Sequence, residues 1–384
     1  MKKVCLFDFP RMEDFHGYSL DCLDPMPYLA RRDSWMGRSR MGHQLDQADV
    51  IDRMYREKDT RYMHFIRDFI DKFRDADLVV LATYNPVHPE VLQNDLPKPI
   101  KVLGFVDDPI STYVRGIAYL WAFDGAAYIS PSYNNQLLFK DALERWGCRQ
   151  SRWWPLLSPR NRPVNPGGYW PLSAARAQGL ARGDTFFRDR DLDLIYVGSQ
   201  QGPKVNRLIQ LRKRFGSRFK IYGRWPMAGY GGAARWFKGK PGLWTRVRPI
   251  SDEERTSFYY RTKIGINMHL SDTPMETGNM RMYEVPAHGM MLLCDKAGMN
   301  AHEQIFVPGK EAVFYDSIED AIEKIEYYLH YDEERIRIAR AGFSRVHRDY
   351  DAESNLKNFL DWAIRLEKKS ASTDGEAMGC LKGK

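Results

Sequence analysis

Short continuous apolar runs alternate along this chain with stretches whose apolar residues fall at helical spacing. Residues 3–9 form a first run, broken by Asp8 and ended by Pro10, which predicts a β-strand. Residues 10–41 mix Asp, Pro, Arg, Gly and Met with scattered Phe15, Tyr18, Tyr28 and Trp35. They follow neither period, so a long irregular segment is expected. Met63, Ile66, Phe69, Ile70 and Phe73 then share one helical face. Residues 78–83 are apolar throughout, as a parallel strand buried on both faces requires. Residues 100–106 and 125–130 predict further strands; the first delivers Asp107-Asp108-Pro109 to its carboxyl end, and Phe123-Asp124 precedes the second.

A second strand-first series begins at residues 193–198. A basic helix with Leu208, Leu211 and Phe215 leads to a strand at 219–223, and further strands are expected at 263–268, 290–295 and 312–315. Ser317 with Asp320 predicts a helix N-terminus for Ile318, Ile322, Ile325 and Leu329. Ile336, Ala339, Phe343 and Val346 mark one more helix, and Leu356, Phe359, Ala363 and Ile364 a last one. Two successive strand–helix series predict an α/β protein of two Rossmann-like, doubly wound domains. Ligands of such sheets bind beyond the carboxyl ends of the strands, so facing domains would share a cleft. The expected divisions are 1–170 and 171–347, then a helix at 348–367 able to pack back on the first domain. A disordered tail is expected at 368–384.

Composition narrows this picture modestly. The 384 residues suffice for two cores, and no apolar run reaches the length of a membrane span. The opening apolar run is too short for a secretory signal and has no small-residue cleavage site, so a cytoplasmic location is the expectation. Cys5, Cys22, Cys148, Cys294 and Cys380 are scattered, without the close pairing of a zinc or redox motif. A net charge of +8 favours anionic partners, whether a nucleotide diphosphate, a phospholipid surface or nucleic acid.

The chemistry concentrates in residues 276–289, between two predicted strands. Gly278 allows a tight turn and Gly289 ends the short helix that follows. Pro286 is tolerated in a first turn, which places the expected helix start near Tyr283. The unpaired N–H groups and partial positive charge of a helix start suit a diphosphate. Glu276 falls in the loop and Glu284 on the helix, where a carboxylate can accept from the vicinal hydroxyls of a ribose. Glu284 can equally serve as a carboxylate that complements the helix dipole.

The run Glu276–Glu284 with seven residues between, followed by Ala287-x-Gly289, resembles the donor signature of GT-B glycosyltransferases such as the retaining family 4. Asn279-x-Arg281-x-Tyr283-Glu284-Val285-Pro286-Ala287-x-Gly289 is more similar to the CgeB-like, spore-maturation-type branch. Tyr260-x-x-Lys263-Ile264-Gly265-Ile266-Asn267 and the segment from Pro308 to Asp320 resemble it too. The likeness spans about residues 190–365. It implies a transferase moving a sugar from a nucleotide diphosphate sugar to an acceptor, without a metal or other cofactor and with retention.

On this resemblance the first domain would bind the acceptor and the second the donor. Glu284 would hold the ribose and Glu276 the sugar hydroxyls, with the backbone of Gly278, Asn279, Met280 and Arg281 on the diphosphate. Gly198 and Ser199 would line the pocket, although Ser199 stands where the family commonly has an Arg. Lys204, Arg207 and Arg224 are candidate phosphate cations, and His269 can line the same pocket.

Asp107 and Asp108 can orient an acceptor or act as a base, or simply start a turn and cap a helix. His16 and Gly17 can approach the acceptor or belong to an ordinary loop. Asp189-x-Asp191-x-Asp193 reads as solvated linker charge rather than as a metal motif. Residues 224–248 interleave Trp and Tyr with Arg and Lys, a composition suited to sugar, membrane or nucleic-acid contact. The alternatives to the enzyme are a basic nucleic-acid or membrane-surface binder on the same fold, or a glycosyltransferase acting on modified DNA bases. The sugar, the nucleotide base, the acceptor (glycan, lipid, protein or nucleic acid) and the oligomeric state are left open.

Overall fold

The computed structural model describes residues 1–7, 11–25, 27–29, 47–82, 86–106, 117–134, 136–155, 170–198, 204–223, 247–269 and 278–368. Within it the chain divides into two compact units. The first holds Met1–Tyr128, Leu143–Arg152 and the residues from Lys357 onward; the second holds Ile129–Ala142 and Trp153–Leu356. Both are Rossmann-like α/β domains.

The first unit is built on β1 (Lys2–Leu6), β2 (Met12–Phe15), β3 (Tyr18–Asp21), β4 (Leu78–Ala82), β5 (Ile100–Val106) and β6 (Gly125–Tyr128). Its seven-stranded sheet runs in the order β2-β3-β1-β4-β5-β6 and ends on the strand Ser151–Trp153. Strands β3 to β6 are parallel, and β2 is antiparallel at the edge. Every residue of β4 is buried. Helix α1 (Thr60–Phe73) is capped by Asp59, whose side chain accepts from Tyr62 N. It buries Tyr62, Phe65, Ile66, Phe69 and Phe73, so the buried face is turned slightly from the expected one and leaves Met63 and Ile70 half-buried.

Residues 12–21 do not form the irregular segment expected of them. They make a hairpin whose central residues His16 (φ 49°) and Gly17 (φ 86°) both adopt left-handed backbone, the geometry of a two-residue turn matched to strand twist. Four-residue strands carrying Glu13 and Asp14 at an edge are too short and too polar to show an apolar period. The last helix, at Ala352–Ala363, is tied to this edge where Tyr18 Oη donates to Asp361 Oδ1 at 2.7 Å.

Counting the Ser151–Trp153 strand of the first sheet as β9, the second unit holds the small hairpin β7 (Ser132–Asn134) and β8 (Leu137–Leu138) and the strands β10 (Leu192–Val197), β11 (Phe219–Tyr222), β12 (Thr262–Asn267), β13 (Met291–Asp295) and β14 (Val313–Tyr315). The last five form a parallel sheet in the order β11-β10-β12-β13-β14. Alternate residues serve opposite faces. Leu194, Tyr196, Met291 and Leu293 join one core with Leu208, Leu211 and Phe215 of α2 (Lys204–Phe215). Ile195, Leu292 and Cys294 join the other with Met282, Tyr283 and Val285 of α4 (Met280–Ala287), which follows α3 (Asp252–Arg261) in the chain. The strand order reverses between β10 and β12, and the carboxyl ends of these strands flank the crevice where such sheets take ligands.

Helix α4 starts at Met280 with Asn279 as its N-cap, a turn earlier than expected, and Pro286 lies inside it. A proline there removes one intrahelical bond. The loss is limited because the helix ends at the next residue, where His288 N donates to the carbonyls of Glu284 and Val285. Gly289 (φ 74°) then turns the chain. Gly265 lets α4 approach β12: a Cβ there would lie 2.5 Å from Val285 Cγ1. No helix among the described residues is long and apolar enough to cross a membrane.

Candidate functional site

The sheet delivers Gly198, Asn267, His269 and Asp295 to the carboxyl ends of β10, β12 and β13, beside the start of α4. Asn267 closes β12 and donates from Nδ2 to Cys294 Sγ at 3.1 Å. Its Oδ1 accepts from Arg281 Nη1 at 2.7 Å. Arg281 also donates from Nε to the carbonyl of Val197 at 2.5 Å, and its guanidinium lies over the Tyr196 ring at 4.8 Å. The first turn of α4 is thereby fastened to both strands of the switch point. Gly198 permits this approach, since a Cβ there would stand 2.7 Å from Arg281 Nη2. Gly198 N donates to the Tyr222 carbonyl at 2.9 Å, continuing the β10–β11 ladder by one step.

Glu284 lies one turn further along α4 and is 6% exposed. Arg255, on α3, brings Nη1 to 3.7 Å from Glu284 Oε1. Burial works against the Arg255 charge, but Glu284, Tyr259 and Asp252 outweigh it and raise the guanidinium pKa above its ordinary value. Sequence patterning alone did not single out Arg255. The signal was the capping box just before it, in which Ser251 Oγ accepts from Glu254 N and the Glu254 carboxylate accepts from Ser251 N.

His269 is fully buried, and Asp295 holds it twice, accepting from its backbone N at 2.9 Å and from Nδ1 at 2.7 Å. Arg207 donates to Asp295 Oδ2 at 3.0 Å and to the His269 carbonyl at 3.0 Å, so this expected phosphate cation is committed to the carboxylate. Burial raises the Asp295 pKa; His269 and Arg207 outweigh it and hold the carboxyl below its ordinary value. The donor atoms of His269, Cys294 and Asp295 all lie within 4.8 Å of one another. With the guanidinium of Arg207 already compensating Asp295, the trio reads as a hydrogen-bonded chain more readily than as a cation site.

Lys204 is buried in the first turn of α2. Gly278 takes φ 91°, and its N–H points to Met282 Sδ at 3.1 Å. Met280, the first residue of α4, is half-buried. Among the described residues, Tyr196 Oη, His269 Nε2 and Asn279 Oδ1 are buried without a hydrogen-bond partner. Each such atom costs about 1–3 kcal/mol when unsatisfied.

Glu276, Ser199, Arg224, Asp107 and Asp108 lie outside the described residues, as does most of the aromatic and basic stretch 224–248. His16 and Gly17 belong to the first unit. They turn the β2–β3 hairpin next to Lys2, at the amino-terminal edge of the parallel strands, opposite the ligand-binding edge of such a sheet. Of the run Asp189-x-Asp191-x-Asp193, Asp189 and Asp191 are exposed, as solvated charge would be, whereas Asp193 is not. Arg261 pairs with Asp191, while Arg218 at 2.5 Å and Lys263 at 3.5 Å pair with Asp193, which lies within β10. Near α2, Arg212 donates to the Phe219 carbonyl and Arg214 pairs with Glu326 at the surface.

Residues 204–361 match the family model described as glycosyl transferase-like. The match spans α2 to the last helix and includes Glu284, Arg255, His269 and Asp295. The fold is similar to that of Anabaena Alr3699/HepE, solved in complex with UDP and glucose (TM-score 0.51, 12% identity, covering 77% of this chain and 80% of that one). It is also similar to an alpha-glucosyltransferase solved with UDP and a 13-mer DNA containing an HMU base (0.51, 10% identity, 78% and 83%). A third likeness is to the N-terminal domain of Candida albicans trehalose-6-phosphate phosphatase (0.56, 10% identity, 90% and 83%). No curated protein sequence matches this chain at a significant level. At such identities the structural likenesses concern the fold; with the family match they support a glycosyltransferase on a GT-B-type fold.

Proposed function

We propose that this protein transfers a sugar from a nucleoside diphosphate sugar to an acceptor hydroxyl. The observation that carries the reading is the buried Glu284 beside Arg255, on the helix whose N-terminus faces the carboxyl ends of β10 and β12. Glu284 accepts from the ribose hydroxyls. The N–H groups of Asn279, Met280 and Arg281 neutralise the diphosphate, helped by Lys204 and, beyond the described residues, Arg224; the Gly278 N–H, expected among them, is taken by Met282 Sδ. His269 turns Nε2 to the same group, and Gly198 and Ser199 line the pocket. The solved complexes of HepE and of the alpha-glucosyltransferase, which contain UDP, favour a uridine donor.

In the reaction the bond between the anomeric carbon and the diphosphate oxygen breaks, and a bond to the acceptor oxygen forms. The acceptor proton passes to a base or to the departing phosphate. Glu276 holds the sugar hydroxyls and Asp107 or Asp108 orients the acceptor. The resemblance to the spore-maturation-type branch and to family 4 supports retention at the anomeric carbon. Helix-terminal and side-chain positive charge takes the part that a metal plays elsewhere, so EDTA leaves turnover unchanged.

A thermal-shift screen against UDP, GDP, ADP and CDP tests the donor site directly. At least one nucleotide should raise the melting temperature of the wild type and not of Glu284→Ala. A screen in which no nucleoside diphosphate stabilises the wild type rules out the proposal.

A further inference from the structure

Glu284 is buried on α4, and a buried carboxylate stays ionised only where a cation or strong donors compensate it. Arg255 supplies such a charge. Its side chain is 15% exposed, and the guanidinium is shared: Nη2 lies 3.4 Å from Asp252 Oδ1 on the same helix while Nη1 turns to Glu284. Ser251 fixes the start of α3, and Glu254, one residue before Arg255, is taken up by Arg248 at 2.7 Å. Arg255 then lies with Phe258 and Tyr259 on one helical face, where Tyr259 is buried and Phe258 stacks on Tyr222 at 4.9 Å. That packing aims the guanidinium at Glu284. At 3.7 Å the pair is longer than a hydrogen bond, a charge contact rather than a fixed fork.

We infer that Arg255 is a positioning residue that holds Glu284 as an oriented, ionised carboxylate and so makes the site select ribonucleotides over 2′-deoxyribonucleotides. The inference rests on Glu284 being the ribose anchor. An ionised carboxylate accepts from both vicinal hydroxyls at once, and loss of the 2′-hydroxyl removes one charge-assisted bond. A protonated or turned carboxyl cannot accept both, so the preference disappears with the cation that fixes it.

The test titrates UDP against 2′-deoxy-UDP, and GDP against 2′-deoxy-GDP, into wild type, R255M, R255K and E284Q, with the melting temperature of each unliganded protein as a folding check. Wild type should bind the ribonucleotide about tenfold or more tighter than its deoxy partner. R255M and E284Q should bring the two near parity, and R255K should restore most of the preference. If R255M melts early, R255Q carries the same comparison. Wild type that prefers the ribonucleotide while R255M keeps that preference overturns the role of Arg255 alone. Wild type that binds none of the four nucleotides overturns the donor-site reading and this inference with it.

Discussion

The guanidinium of Arg281 reaches from the first turn of α4 to the end of β12, donating from Nη1 to Asn267 Oδ1 at 2.7 Å. With the bond from Nε to the Val197 carbonyl, one side chain joins both strands of the switch point to the helix expected to carry the diphosphate. The side chain of Arg281 is therefore structural.

Replacing Arg281 with Leu should destabilise the second unit by about 1–3 kcal/mol, because partly buried acceptors lose charged donors. Arg281→Lys should recover less than half, since one ammonium cannot serve Val197 and Asn267 together. Urea unfolding measures both, and a Leu variant as stable as the wild type contradicts the assignment.

Two buried groups should give the stability curve separate acid limbs. His288 Nδ1 donates to the Glu284 carbonyl at 2.7 Å, and burial pushes its pKa down to about 4 from 6.5. Between those values the unfolded chain binds a proton that the folded one refuses, so stability is full above the upper value and falls as pH drops, by roughly 3 kcal/mol. Asp295 acts lower. Its folded pKa is depressed, so its contribution is present above the unfolded carboxylate value of about 3.9 and is lost as pH falls through the folded value. His288→Gln should flatten the upper limb and Asp295→Asn the lower one in unfolding measured against pH. Unchanged slopes in either variant contradict the corresponding account.

Much of this architecture is legible in the sequence. The apolar runs at 78–83, 193–198, 263–268 and 290–295 fall within a residue or two of β4, β10, β12 and β13, because strands buried on both faces leave no polar gaps. The Ser317 cap appears as expected, its Oγ accepting from Asp320 N. The β2–β3 hairpin was hidden because a short edge strand carries no apolar period. The start of α4 was misplaced because Pro286 reads as a helix beginner, although the end of the helix tolerates it. Arg255 and the Arg207–Asp295–His269 chain were hidden for another reason: long side chains meet there from α2, α3, α4 and the strand ends, and spacing within one segment does not encode such meetings.

Two glycines should prove irreplaceable for different reasons. Gly278→Ala must adopt φ 91° with its Cβ 2.8 Å from the Ile129 carbonyl oxygen, a backbone atom that cannot step aside. A loss of about 1–2 kcal/mol or more is expected from the conformation alone. Gly265→Ala meets a side chain, Val285 Cγ1 at 2.5 Å, and should cost about 1–3 kcal/mol by overpacking. The Gly265→Ala/Val285→Ala double variant should then melt above Gly265→Ala alone. Calorimetry of the variants checks each value, and a double variant no better than the single one removes the packing explanation.

The central claim concerns Glu284, and the most direct measurement is release of nucleoside diphosphate from nucleotide sugars, without and with candidate acceptors, by wild type and by Glu284→Ala. The account predicts release by the wild type from at least one nucleotide sugar, and its loss, or a fall of about tenfold or more, in the variant. No release from any nucleotide sugar, or a Glu284→Ala variant that turns over like the wild type, would contradict it.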